Sequence, residues 1–152
     1  MYLAGNAHPE IAFAVHQYAR FTHAPCQTHS LAVKRIARYL KGILNEKQGL
    51  ILRPSKVLSL DSCVDADYSW LWGYEDDQDP ICVRSRSCYV MTVIGCSVHW
   101  TSKLQQETAL STTEAEYIAL CQAFCELIPI RCFFYDILES FDLQELCPVS
   151  VK

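Results

Sequence analysis

The stretch "ALSTTEAEYIAL", Ala109–Leu120, decides how the second half of this chain folds. Ser111 is followed three residues later by Glu114, the spacing at which a capping residue and an acid satisfy backbone N–H groups at a helix start. The spacing predicts a helix from Thr112 onward. At roughly 100° of turn per residue, Glu114, Gln122 and Glu126 share a solvated stripe. Glu116 falls on the other side, with Leu120, Ala123, Phe124 and Leu127. A carboxylate among apolar side chains is costly unless it meets a cation, a hydrogen-bond donor or a metal. The residues leave two readings of Glu116 open. It is either an ion-paired or partly wet helix-end acid, or a metal ligand.

The segments upstream of this helix read as strands. In "VLSLDSCVDAD" the apolar side chains Leu58, Leu60 and Val64 alternate with polar ones, predicting a strand that ends near Asp65. "YSWLWGYEDDQDPICVRSR" is a long loop rich in acids and aromatics, where Glu75, Asp76, Asp77 and Asp79 read as solvated. "SCYVMTVIG" and "SVHWTSK" make two strands of a hairpin around Gly95 and Cys96. Downstream, Pro129 is expected to kink or divide the helix, "IRCFFYDILESF" continues it, and "CPVSVK" opens another strand. A helix packed on this sheet brings Asp65 and Glu116 to one edge. Two hard oxygen ligands suit Mg²⁺ better than Zn²⁺, and paired Mg²⁺ ions serve phosphodiester hydrolysis.

Upstream, "PEIAFAVHQYARFT" (9–22) predicts a helix with Pro at its first position and Glu10 in the first turn. "THSLAVKRIARYLKG" predicts a second helix ending at Gly42. Leu31, Ile36, Tyr39 and Leu40 are expected inward, and Lys34, Arg35, Arg38 and Lys41 outward. Residues 1–56 carry eight Lys/Arg against two Asp/Glu, a net +6. Residues 57–152 carry five against fifteen, a net −10. This asymmetry suggests a polyanion-binding part joined to a cation-binding part. The four basic residues of the second helix are the candidate nucleic-acid contacts.

At 152 residues there is room for one sizeable core with an appendage. The first residues lack the basic start and apolar run of a signal peptide, so secretion is not expected. The apolar run from Tyr117 to Leu138 is interrupted by Gln122, Glu126, Arg131 and Asp136, which predicts a soluble helix pair and no membrane partner. Nine cysteines form an odd set without a Cys-x-x-Cys pair. They read as small core residues in a reducing compartment, although Cys96 and His99 have a tolerable zinc spacing.

"VDADYSW", "RSRSCYV", "SVHWTSKLQQETALSTTEAEYIAL" and the upstream "HPEIAFAVHQYARF…AVKRIARYLKG…GLIL" together resemble copia-type retrotransposon polyproteins. The resemblance covers nearly the whole chain through several ordered motifs. It implies that residues 1–50 are a helical hairpin from the thumb or connection region of the reverse transcriptase. Residues 51–152 would be a ribonuclease H-like α/β domain, a mixed sheet with a packed helix whose C-terminal strands are missing. Such a domain cuts the RNA strand of RNA–DNA hybrids with two Mg²⁺ or Mn²⁺ ions. Carried over by motif, Asp65 and Glu116 are its catalytic metal ligands, and Asp67 is an electrostatic helper or a turn residue. Arg86 or Lys103 would be phosphate contacts or plain surface charges. The family's third acid follows the strand opened by "CPVSVK", and neither Asp136 nor Asp142 replaces it. Cys88 stands where the family usually has glycine and is expected to crowd the second strand. The expectation is therefore a truncated, inactive copy. Its partners would be nucleic acid and the rest of the polyprotein, in a cytoplasmic virus-like particle or the nucleus. The alternative is a non-enzymatic nucleic-acid- or protein-binding module derived from a retroelement.

Overall fold

A computed structural model of the chain describes residues 1–46, 49–69, 71–73, 78–141 and 149–151. Glu75, Asp76, Asp77 and Asp142 lie outside the described residues. The chain is α/β and divides into two compact units, Met1–Ile51 with Thr101–Lys103 and Leu52–Trp100 with Leu104–Lys152.

The N-terminal unit holds α1 (Tyr2–Asn6), a 3₁₀ turn (Pro9–Ile11), α2 (Ala12–Ala19) and α3 (Gln27–Glu46). Pro9 opens the tighter turn where its missing N–H is harmless. Gly42 does not end α3, which continues for another turn to Glu46. Between α2 and α3, the His29 ring stacks on Phe21 with centroids 4.0 Å apart and meets Tyr18 at 6.2 Å. Ile43 is buried and Ile36 and Leu40 half-buried, but Leu31 is 50% and Tyr39 48% exposed, correcting the expected inward set. Angle explains the difference: at roughly 100° per residue, Leu40 and Ile43 lie within about 40° of Ile36, whereas Tyr39 is about 60° and Leu31 about 140° around the helix.

The second unit is built on a four-stranded sheet ordered β3-β2-β1-β4. Its strands are β1 (Leu60–Asp67), β2 (Arg86–Val93), β3 (Cys96–Leu104) and β4 (Val149–Val151). β1 runs antiparallel to β2, from Leu60 opposite Val93 to Asp67 opposite Arg86. On its other edge β1 is parallel to β4, with Leu60 opposite Val149. The β2–β3 turn has Ile94 and Gly95 at φ 54° and 75°, the pair of positive values that suits a tight hairpin. A β-branched residue rarely adopts that conformation. Ile94 is held there because its N–H donates to Ser59 O at 2.8 Å and its carbonyl accepts from Ser55 N at 2.7 Å.

α4 (Thr112–Ser140) starts where the capping spacing predicts. Ser111 Oγ accepts from Glu114 N at 3.1 Å, and Glu114 Oε2 accepts from Leu110 N at 2.7 Å. The acid thus caps one residue further out than in the usual box. α4 is a single 29-residue helix that runs through Pro129, so the expected helix pair is one element. Its buried stripe is Ala115, Ala119, Ala123, Leu127, Phe134 and Leu138. Three alanines at four-residue spacing allow close approach to β1 and β2. Further along, Ala123, Leu127, Phe134 and Leu138 close a core with Leu60, Tyr89 and Met91. Full burial of a side chain such as Leu60 contributes about 2 kcal/mol. By length and composition alone α4 could cross a membrane, with a mean hydropathy of 1.5 in its most apolar window. Its alanine and leucine stripe packs on the sheet, and 22% of that window is buried.

Candidate functional site

Asp65 projects from β1, where exposure alternates along the strand. Leu60, Ser62, Val64 and Ala66 are buried or half-buried, while Cys63, Asp65 and Asp67 are exposed. Asp65 stands opposite Cys88 in the register. Cys88 is half-buried and sits within regular β2, so the strand accommodates it without interruption. Asp67 is the last residue of β1 and stands opposite Arg86. Arg86 is 2% exposed, which corrects the reading of it as a surface charge or phosphate contact. Lys103 on β3 is exposed, as expected of a surface cation. Asp79 Oδ1 accepts from Ile81 N at 2.9 Å, making it a turn residue.

Glu116 lies near the start of α4 and is half-buried. The fully buried positions are Ala115 and Ala119, so Glu116 flanks the core stripe and does not belong to it. The helix turns about 100° between Ala115 and Glu116, enough to swing the carboxylate to the margin of the packed face. Among the described residues, neither Asp65 nor Glu116 has a hydrogen-bond or ion-pair partner. Nor does any group of three or more His, Cys, Asp or Glu side chains there form a metal-holding cluster.

Asp65 lies on the exposed face of β1, whereas Leu60 and Val64 are on the face packed against α4, and α4 is tied to the sheet by a residue that its local sequence did not single out. Gln105 is fully buried just after β3. Its Nε2 donates to Ser87 Oγ at 3.0 Å and to the Ala115 carbonyl at 2.8 Å. Its backbone N–H donates to Ser85 O at 2.9 Å. Ser87 pairs with Ala66, the neighbour of Asp65, and Ala115 is the neighbour of Glu116. One amide therefore ties the first turn of α4 to the strand beside Asp65. The Ala115 carbonyl can only accept, which fixes the nitrogen end of the amide toward it. Gln105 Oε1 is left buried without a partner.

The basic residues on α3 are all exposed. Lys34, Arg38 and Lys41 line one stripe at helical spacing, and Arg35 lies beside it. None has an ion-pair partner among the described residues, and Arg38 Nε reaches the Lys34 carbonyl at 3.4 Å. At the start of α3, the exposed Cys26 thiol lies 2.8 Å from Thr28 Oγ1. The Thr28 hydroxyl, followed by backbone N–H groups of the first turn, lowers the Cys26 pKa below the usual thiol range.

This chain is 34% identical over 119 residues to the retrovirus-related Pol polyprotein from transposon RE1 of Arabidopsis thaliana. It is 36% identical over 137 residues to the corresponding polyprotein from transposon TNT 1-94 of Nicotiana tabacum. These alignments cover 78% and 90% of the chain. The chain belongs to the Pol polyproteins of copia-type transposons. It spans only 7% and 10% of those two relatives. A third relative, secreted RxLR effector protein 161 of Plasmopara viticola, is 37% identical over 84% of the chain and 83% of its own length. No family model and no solved structure matches.

In this Pol segment, Asp65, Glu116 and the four cations of α3 stood out in the sequence through motif and helical spacing. Gln105 did not. It adjoins the exposed Gln106 in a polar run, and no local pattern separates the buried glutamine from the solvated one.

Proposed function

We propose that the second unit is a ribonuclease H-like domain in which Asp65 and Glu116 hold a divalent cation, Mg²⁺ or Mn²⁺, for hydrolysis of the RNA strand of RNA–DNA hybrids. The observation carrying this reading is that two carboxylates, Asp65 late in β1 and Glu116 near the start of the helix that packs on β1 and β2, have no partners among the described residues. Their hard oxygen donors fit Mg²⁺ or Mn²⁺. The sheet order β3-β2-β1-β4, with β4 parallel to β1 and α4 across β1 and β2, also supports it. A bound ion would supply Lewis acidity and a lowered pKa for an attacking water. The chain's own contribution is the two carboxylates that would hold the cation.

Two carboxylates provide less than the ligand set that fixes two ions about 3.5–4 Å apart. The 152-residue chain is therefore expected to bind a cation weakly and to cleave hybrid poorly by itself. The test is a hybrid-cleavage assay in Mg²⁺ and in Mn²⁺, run beside Asp65→Asn to exclude contaminating nuclease. Efficient cleavage that survives in Asp65→Asn would remove Asp65 from the reading. Efficient cleavage lost in that variant would show that two carboxylates suffice.

A non-enzymatic binding role has its own support in the exposed, unpaired stripe of Lys34, Arg35, Arg38 and Lys41. Four cations on one helix side suit a phosphate backbone and carry no base-reading geometry. This role and the first are compatible, since they draw on different residues.

A further inference from the structure

We infer that the outer face of α4 is an interface for a second copy of this chain, the two helices pairing antiparallel. The side of α4 away from the core has its own pattern. Ile118, Cys121, Cys125, Ile128, Cys132 and Tyr135 recur at alternating spacings of three and four, the period at which one helix packs along another. At roughly 100° per residue, the central four fall within about 60° of one another and on the far side of the helix from Ala123. The three cysteines are exposed, and Ile128 is 56% exposed. Tyr117 and Phe124 flank them at 65% and 44%. A helix that needed only to cover the sheet would carry polar and charged residues on that side.

The pattern is complementary to itself. In an antiparallel pair with a two-fold axis, Ile118 meets the second copy's Tyr135, Cys121 its Cys132, and Cys125 its Ile128, and the symmetry repeats every contact. Phe124 and Arg131 lie on the same flank of the stripe, so each copy's Phe124 also packs on the stem of the other's Arg131. Antiparallel packing sets the two helix dipoles in opposite directions. The small cysteine side chains permit close approach along the seam. The area is sufficient for a weak dimer. The 29 residues of α4 span about 43 Å, and a face about 10–12 Å across gives two copies on the order of 900–1,000 Å² of contact. The relative that this chain matches over 83% of its length has little further chain of its own to lay on such a face, which favours a second copy over the remainder of a polyprotein.

The experiment is sedimentation velocity on the full, reduced chain from low micromolar to submillimolar concentration. The mass should rise from 17.3 kDa toward twice that value. Ile128→Glu places a carboxylate in the interface of each copy and should raise the dimer dissociation constant at least about tenfold, with circular dichroism confirming the fold. Cys125→Glu, on the same exposed stripe, keeps the test available if Ile128→Glu does not fold. Leu44→Glu, on α3 and 76% exposed, should leave the constant unchanged. Bismaleimidoethane, added to a mixture of unlabelled and isotopically labelled chains, should join Cys121 of one copy to Cys132 of another. Within one helix those residues are about 16 Å apart, beyond its reach. A mass that stays at 17.3 kDa overturns the inference, as does association that Ile128→Glu leaves intact or that Leu44→Glu weakens equally. Links joining Cys121 to Cys121 would mark a parallel pair and reject the antiparallel arrangement. A monomer that floats with phosphatidylcholine vesicles, and stops doing so in Ile128→Glu, would assign the face to a lipid surface instead.

Discussion

Replacing Lys34, Arg35, Arg38 and Lys41 together by glutamine should remove most of the chain's affinity for nucleic acid. All four are exposed, and none is neutralised by an acid among the described residues. From Lys34 to Lys41 the helix rises about 10 Å, so the cations can face several successive phosphates. If each neutralises one phosphate, the logarithm of the binding constant falls with the logarithm of salt at a slope of about −3.6. Between 50 and 200 mM salt, that slope is a loss of roughly 150-fold in affinity. The assay is fluorescence anisotropy of a labelled RNA–DNA hybrid titrated with protein across this salt range. The quadruple variant should bind weakly and with a slope near zero. Single replacements should each lower the slope by about 0.9. A quadruple variant that keeps both affinity and slope would refute the assignment and place binding elsewhere on the chain.

The hairpin turn offers a separate check. Gly95→Ala places a side chain at φ 75° and should destabilise the second unit by about 1 kcal/mol in urea unfolding; an unchanged midpoint would mean that the turn relaxes. Ser111→Ala deletes the acceptor for Glu114 N and should cost about 1 kcal/mol. Equal stability would show that Glu114, through Leu110 N, suffices as the cap. Cys26, with its pKa lowered by Thr28, holds more thiolate at neutral pH than an ordinary thiol. Its alkylation rate should therefore rise with pH through a midpoint below the usual thiol value, and Thr28→Val should move that midpoint up. Mass spectrometry of iodoacetamide-treated protein measures both, and an unmoved midpoint in Thr28→Val would reject the hydroxyl as the cause.

The features legible in the sequence were those whose cause lies within a few residues along the chain. Ser111 and Glu114 marked the start of α4 because a cap works over three residues. Leu58, Leu60 and Val64 marked the core face of β1 because strand side chains alternate. The strand reading stopped at Asp65, two residues short, since the pairing of Ala66 and Asp67 depends on β2. The outward cations of α3 followed from helical spacing alone, and the copia-type motifs identified the family.

Tertiary structure decided what lay across from each element. Leu31 and Tyr39 were expected inward but lie about 140° and 60° around α3 from Ile36, off the face that buries Ile36, Leu40 and Ile43. Arg86 looked like a surface cation until the register set it opposite Asp67 and the fold buried it. Pro129 looked like a break, yet α4 continues through it with Leu127, Phe134 and Leu138 packed on both sides of it. Glu116 moved from the core to its margin because alanines, not the larger residues of the helix, make the closest approach to the sheet. Gln105 acquired its place only from partners 18 and 10 residues away, Ser87 and Ala115. Caps, turns and alternation are written locally because they act through neighbouring backbone groups. Burial and the aiming of a site depend on which distant segment arrives, and only the folded chain supplies that.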